Sequence, residues 1–258
     1  MRFVENDTTT LTASNQEAHT SVTIADIWEA YKLLKPRLHH TPLAPSRTLR
    51  DITGADIYLK AENMQRSGSF KVRGASYKIS RLSKEEYTRG VIAASAGNHA
   101  QGVAIAAAQY NVSCTIVMPE TAPLAKVTAT QGYGAEVVLH GFTYDDAYQY
   151  CLELQQETGA TFIHAFDDPD IIAGQGTLGL EMLSDLPDAD ALIVPIGGGG
   201  LIAGITIAAR ALRPNIKIIG VQAEGAAGCR ASLDAGELRT LPSITTIADG
   251  IAVKRPGT

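Results

Sequence analysis

The chain has 258 residues, 45% of them hydrophobic, and its 22 basic and 27 acidic side chains give a formal net charge of −5. That length suits one large domain or two small ones at about 100–200 residues each, and a core of this size needs neither disulfide nor metal to hold it. The mild acidity argues against a nucleic-acid partner, which calls for a basic face, and no run approaches the ~18 apolar residues of a bilayer span.

Residues 1–20 are polar, rich in Thr, Ser and Asn, and lack an apolar signal core, so we read them as a poorly ordered arm. Ile24, Ile27, Trp28, Tyr31 and Leu34 recur at helical spacing and predict a helix over 23–34, stopped by Pro36. A short strand is predicted at 57–59. From Gly90 onward the pattern becomes regular. Strands are predicted at 91–94, 115–118, 136–139, 191–196 and 217–221. Helices are predicted at 98–110, 124–131, 144–158, 171–183 and 201–212. Strands alternating with helices imply an α/β fold with parallel sheets and right-handed crossovers. The strands at 91–94, 115–118 and 136–139 are expected to form a small sheet. Those after Asp190 are expected to join a second, larger one. Two lobes facing a cleft follow, and clefts are where ligands sit.

Several candidates have bland explanations. Cys114, Cys151 and Cys229 are too far apart for a metal or redox pair, and so sparse a set fits a reducing compartment. Cys114 and Cys151 lie in apolar or amphipathic runs and read as buried packing thiols. His39 and His40 are adjacent, whereas two ligands on one helix face need i and i+4, so they read as a loop pair. Asp168 before Pro169 reads as a helix N-cap with proline at the first helical position rather than a metal ligand. No metal site is expected.

Three segments carry chemistry. Gly197-Gly198-Gly199-Gly200 follows an apolar strand and opens a helix. Backbone N–H groups and the helix dipole favour an anion there, and glycines let a phosphate come close. No Lys-Ser or Lys-Thr follows, so this is not a nucleotide P-loop. Ser67-Gly68-Ser69-Phe70-Lys71-Val72-Arg73-Gly74-Ala75 places a lysine in a small-residue loop beside an aromatic ring. Partial burial and the charge of Arg73 are both expected to favour the neutral, nucleophilic amine that a Schiff-base lysine needs. Ser95-Ala96-Gly97-Asn98-His99-Ala100-Gln101-Gly102 sits at the C-terminal end of a strand, where open α/β sheets bind ligands. Its hydroxyl, amide and backbone donors suit a carboxylate or a phenolic oxygen. His99 reads more readily as a hydrogen-bonded structural histidine than as a catalyst.

Together and in this order, the runs SGSFKVRGA, SAGNHAQGVA, MPETAPLAKV, DDPDIIAGQGTLGLE, IVPIGGGGLIAGI, GVQAEG and ADGIAVKRPG resemble the fold type II pyridoxal-phosphate enzymes. More narrowly they resemble the threonine and serine dehydratases, with wording closest to the single-domain catabolic type. The resemblance runs from about Ile24 to the last residue. It implies a tryptophan-synthase-beta-like fold, with a larger cofactor-binding lobe from 21–88 and 165–258 and a smaller substrate lobe from 89–164. The family's catalytic domain continues past ADGIAVKRPG and carries there a serine that bonds the cofactor's pyridine nitrogen, so the larger lobe is expected to be incomplete in this chain.

The resemblance also assigns roles. Lys71 holds pyridoxal 5'-phosphate as a Schiff base and then acts as the base. Phe70 packs near the ring, Gly197, Gly198, Gly199 and Gly200 cradle the phosphate, Asn98 bonds the 3-hydroxyl, and Gly250 lies beside the ring. Ser95, Ala96, Gly97 and His99 belong to the loop that binds the substrate carboxylate. The implied reaction is dehydration and deamination of L-threonine, and of L-serine, to 2-oxobutanoate or pyruvate and ammonia. A cytoplasmic homo-oligomer, dimer or tetramer, in amino-acid metabolism and isoleucine biosynthesis is implied with it. The alternatives are a serine racemase, a hydroxyaspartate dehydratase and a non-catalytic pyridoxal-phosphate-binding or truncated protein. Racemase-like relatives carry a serine where Ala96 stands and acidic metal ligands where Gln222 and Gly228 stand. Retention of Lys71, Asn98 and the four glycines argues against a non-catalytic protein.

Overall fold

The computed structural model describes residues 22–258, so the expected N-terminal arm lies outside the described residues. Helix α1 (Ile24–Leu34) starts at Thr23, whose side chain and that of Asp26 cap each other's backbone, and it buries Ile27, Ala30 and Leu34. Strands β1 (Leu43–Pro45) and β2 (Tyr58–Lys60) flank helix α2 (Arg47–Thr53). They pair antiparallel, a departure from the all-parallel expectation. The physical reason is the short connection through α2, which reverses the chain instead of crossing over the sheet.

Helix α3 (Lys71–Ser80) and helix α4 (Lys84–Arg89) lead into the regular part of the chain. There β3 (Val91–Ala94), α5 (Asn98–Tyr110), β4 (Cys114–Met118), α6 (Leu124–Gly132), β5 (Glu136–Leu139), α7 (Tyr144–Thr158) and β6 (Thr161–Phe162) follow in order. They build a four-stranded sheet, β5-β4-β3-β6, with every pairing parallel. Successive residues of β3 serve opposite faces. Val91 and Ala93 join Val103, Ala104 and Ala107 of α5, while Ile92 and Ala94 join Ala147 and Cys151 of α7. A strand covered on both faces reads as the unbroken apolar run VIAA. Cys114 and Cys151 are buried packing thiols, and burial pushes both up to about 12.

Helix α8 (Pro169–Asp185) then passes through the middle of the molecule. Its start has the expected chemistry: the Asp168 carboxylate accepts from the amides of Asp170 and Ile171, and Pro169 occupies the first turn. Most of its residues are buried, because it packs on α1, on α3 and on α9 (Gly200–Leu212). Strands β7 (Ala191–Pro195) and β8 (Lys217–Val221) pair parallel, and α10 (Gly228–Ala235) follows. Leu192 and Val194 pack under α8 and α9, whereas Ile193 points the other way and is 60% exposed. The second sheet was expected to be the larger. Among the described residues it has only these two strands, since β1 and β2 pair with each other and not with β7 or β8.

One buried ionic cluster ties α3 to α8. Arg73, 1% exposed, donates to both oxygens of Glu62 at 2.8 Å and to Glu181 at 2.7 and 3.0 Å. Lys60 completes the set at 2.8 Å from Glu181. Burial alone would raise the Glu181 carboxyl, but Arg73 and Lys60 outweigh it and hold the group below the usual carboxylate range. Replacing one member leaves uncompensated charge inside. Arg73→Met is therefore expected to lose about 3–5 kcal/mol in denaturant unfolding. The exposed Arg50–Asp56 pair, 3.5 Å apart, is expected to lose under about 1 kcal/mol on Arg50→Met. Equal losses at the two sites would contradict this account of the core.

Candidate active site

Lys71 is not in a loop. It is the first residue of α3, entered through a turn in which Gly68 has φ +69° and Ser69 Oγ accepts from the Lys71 amide at 3.4 Å. Packing of Val72, Ala75 and Ile79 into the core makes the helix, overriding the weak local signal of Gly74 and Ser76. The Lys71 amine donates to the Ala165 carbonyl at 2.7 Å and stands 5.5 Å from the Phe70 ring centroid. The residue as a whole is partly exposed, but its charged end is desolvated, and burial pulls the ammonium down to about 8. The expected help from Arg73 is absent. Two residues on, it lies on the opposite side of the helix, neutralised by Glu62 and Glu181. Burial alone lowers the Lys71 pKa.

The Ser95–His99 segment joins β3 to α5. Ser95 Oγ accepts from the Gly97 amide at 3.2 Å, which tightens the turn, and Asn98 begins the helix with its side chain exposed. His99 is buried, and its Nε2–H donates to the Ile163 carbonyl at 2.8 Å. Burial first, and the nearby Lys71 second, hold this imidazole down to about 3, so it is neutral. Its geometry is that of a structural histidine. Gly102, one turn further along α5, has a plain steric reason: a Cβ there would stand 3.0 Å from the backbone of Lys71. The close approach of α5 sets Lys71 against the loop.

Lys71, Ser95, Ala96, Gly97, Asn98, His99 and Gly250 all line one cavity of about 1060 Å³. A Cβ on Gly250 would lie 3.9 Å from the Asn98 amide nitrogen, so these two predicted residues are neighbours. Phe70 and Gly197–Gly200 do not line this cavity. Phe70 packs on the cluster around Leu178 and Leu192. The glycine turn opens α9 one residue earlier than predicted, with Gly199 at φ +105° as N-cap and neither a capping side chain nor an acidic residue in the first turn. Phe166 stands between the turn and the cavity. A Cβ on Gly198 would fall 2.2 Å from its ring, and one on Gly200 would fall 2.4 Å from its carbonyl oxygen. Only glycine fits there.

Sequence reasoning missed other lining residues. Lys126 pairs with Asp249 at 3.2 Å and Lys254 with Asp145 at 2.8 Å, and all four line the cavity. Lys126, Asp249 and Lys254 had no signal beyond membership of the runs MPETAPLAKV and ADGIAVKRPG, and Asp145 lay in none of them. His164, Phe166, Tyr144 and Tyr148 carried none, being single residues of common types. Gln222, at the place where racemase-like relatives carry an acidic metal ligand, is engaged otherwise: it donates to the carbonyls of Ile196 and Ala226 and accepts from the Arg230 amide. Among the described residues no cluster of metal-ligating side chains occurs.

The donors lining the cavity suit a ligand with two distinct groups: a buried amine of lowered pKa can condense with an aldehyde, and an amide beside Gly250 can bond a phenolic oxygen. The uncapped glycine-rich helix start has the chemistry to take a phosphate, and Phe166 separates it from this cavity. Trace acetylation tests the first of these without any ligand. Lys71 is expected to react with acetic anhydride with a midpoint near pH 8 by mass spectrometry, against about 10.4 for exposed lysines. A Lys71 midpoint above pH 10 would contradict the buried, discharged amine.

A sequence-family model described as pyridoxal-phosphate dependent enzyme matches residues 34–258. An L-threonine ammonia-lyase of Thermotoga maritima is 53% identical over 236 residues, spanning 92% of this chain and 59% of the relative. A catabolic L-threonine dehydratase of Staphylococcus aureus is 51% identical over 250 residues, spanning 96% of this chain and 72% of the relative. The chain thus spans about six- to seven-tenths of these relatives' length. Among solved structures, the processed form of threonine deaminase isoform 2 from Solanum lycopersicum superposes with a TM-score of 0.87 at 43% identity, covering 91% of this chain and 69% of that one. Maize serine racemase superposes with the same TM-score at 39% identity, covering 90% and 71%. The chain belongs to the pyridoxal-phosphate-dependent enzyme family, within the fold type II group that includes the threonine deaminases.

Proposed function

We propose that this chain carries the reaction centre of an enzyme that dehydrates and deaminates L-threonine, and also L-serine, to 2-oxobutanoate or pyruvate and ammonia. The observation that carries this reading is the shared cavity of the buried Lys71 amine and the Ser95–His99 loop. The names of the two sequence relatives support the choice of threonine. The cofactor, when bound, supplies the electron withdrawal that acidifies the substrate's α-carbon.

The chain's own residues do the rest. Lys71 holds the cofactor, and its amine, poised near neutral pH, then removes the α-proton. Ser95, Ala96, Gly97 and the start of α5 bind the substrate carboxylate through hydroxyl and backbone N–H groups. Asn98, with Gly250 beside it, would bond the cofactor's 3-hydroxyl, and the glycine turn at Gly197–Gly200, which Phe166 covers on the cavity side, would hold its phosphate. Neutral His99 fixes α5 to Ile163 and takes no proton. Loss of the β-hydroxyl with the α-proton releases water, and hydrolysis returns it, leaving the oxo acid and ammonia. Ala96 has no proton to deliver to the opposite face, which favours elimination over racemisation.

We also propose that residues 89–164 form the smaller lobe and 21–88 with 165–258 the larger, a division supported by the closed set of strand pairings from β3 to β6. No helix among the described residues is long and apolar enough to cross a membrane. A cytoplasmic homo-oligomer supplying 2-oxobutanoate to isoleucine biosynthesis is part of the same proposal.

With pyridoxal phosphate added, this chain extended by a relative's C-terminal portion is expected to form 2-oxobutanoate from L-threonine, and the same protein carrying Lys71→Ala is expected to form none. Near wild-type turnover by Lys71→Ala would overturn the assignment. Ala96→Ser is expected to introduce a trace of D-serine from L-serine, seen by chiral chromatography. Rapid D-serine formation by the unmutated chain would favour a racemase instead.

A further inference from the structure

Residues 163–168, between β6 and α8, touch His99, Lys71 and the glycine turn. The Ile163 carbonyl accepts from His99, and the Ala165 carbonyl accepts from the Lys71 amine. Phe166 lies on Gly198 and Gly200. The Asp167 carboxylate accepts from the Thr258 amide at 3.2 Å, and Asp168 caps α8 while pairing with Lys78 at 2.8 Å. The segment has no regular secondary structure before α8. Its bend comes from one side chain. His164 Nδ1 accepts from the Phe166 amide at 3.2 Å and from the Asp167 amide at 2.8 Å. The ring is also held edge-on, 6.0 Å from Phe162 and 4.8 Å from Phe166 between centroids. Two amides aimed at one nitrogen require its lone pair, so Nδ1 is unprotonated and Nε2 keeps the proton. The charged groups facing this turn are Lys71 from α3 and Asp167 and Asp168 from the segment itself. Burial outweighs the two carboxylates and lowers the His164 pKa, in keeping with a neutral ring.

We infer that His164 is a positioning residue: its Nδ1 gathers the Phe166 and Asp167 amides into one turn, which sets the Ala165 carbonyl against the Lys71 amine and the Phe166 ring against the glycine turn. Nothing else within the segment shapes the stretch between β6 and the Asp168 cap. If the turn opens, Ala165 swings away, water reaches the Lys71 amine, and Phe166 leaves the glycines. His164 acts through these neighbours and takes no part in bond making. The inference rests on the proposed function only for the identity of the cofactor.

The test separates the two arms and uses no turnover. One readout is the pH midpoint of Lys71 acetylation, which needs no cofactor. The other is the dissociation constant of pyridoxal phosphate. Losing the one acceptor shared by two amide donors is expected to weaken cofactor binding by about tenfold or more in His164→Ala. It is also expected to move the Lys71 midpoint from near 8 toward the ordinary lysine value. His164→Asn places an acceptor oxygen as many bonds from the backbone as Nδ1. It is expected to keep the low midpoint and to bind the cofactor within about threefold of wild type, less than the tenfold set by a lost hydrogen bond. His164→Gln, with its oxygen one bond further out, is expected to behave like His164→Ala. If His164→Ala shows no cooperative melt, the Asn and Gln pair decides. Wild-type values in His164→Ala, failure of Asn to restore them, or restoration by Gln as fully as by Asn would overturn the inference. A low Lys71 midpoint that depends on His164 in a chain that binds no pyridoxal phosphate would uphold the inference and sink the proposed function.

Discussion

The hydrogen bond from the Lys71 amine to the Ala165 carbonyl organises this molecule. A carbonyl accepts a proton but carries no full charge, so it satisfies an ammonium's geometry without repaying its desolvation. A carboxylate in that place would hold the lysine charged. With a carbonyl, burial moves the pKa from its ordinary 10.5 to about 8, a penalty on the charged form of roughly 3 kcal/mol. At pH 7 that leaves roughly a tenth of the amine free, far more than an ordinary lysine offers, and a free amine is what the proposed chemistry needs from the protein. Around it, every neighbouring polar group is either neutral, as His99 and His164 are, or turned elsewhere.

The fold keeps charge away from that amine while anchoring the helix that bears it. Arg73 lies on the opposite side of α3, where Glu62 and Glu181 neutralise it and Thr177 adds a further acceptor at 3.3 Å. Such a cluster is weak evidence for net stability, but it fixes the register of α3 against α8. Helix α5 comes up against the Lys71 backbone at Gly102, and the segment 163–168 closes the third side. Three elements from distant parts of the chain therefore converge on one nitrogen. The glycine turn is held by the same parts, since Phe166 in that segment packs on Gly198.

How much of this could be read from the sequence depended on how local the physics was. The strands at 91–94 and 136–139 and the helix at 144–158 were placed as found, because unbroken apolar runs, amphipathic spacing and caps act within a few residues. Asp168-Pro169 announced α8 for the same reason. Helix α3 was missed because Gly74 and Ser76 weaken its own signal and distant packing makes it. The helices α2, α4 and α10, the three-residue strand β1 and the two-residue strand β6 were too short to show a period. In the site, contiguous motifs gave Lys71, Ser95, Asn98 and Gly250, and the structure gathers them around one cavity. The charge of Arg73 was misjudged because nearness in sequence is not nearness in space on a helix. His164 and Phe166 were invisible, because their importance lies in backbone amides and glycine carbons that no residue pattern records.

Three lysines line the cavity, and Lys126 and Lys254 are rivals of Lys71 for any aldehyde that enters. Both are engaged by carboxylates, Asp249 and Asp145, whereas Lys71 faces a carbonyl. Incubating the chain with one equivalent of pyridoxal phosphate near pH 7.5, reducing with borohydride and mapping the labelled peptide therefore tests the account most directly. The account predicts the label on Lys71, with stoichiometry near one and with an absorbance band that L-threonine alters before reduction. Label on Lys126 or Lys254, or spread over surface lysines, would contradict it.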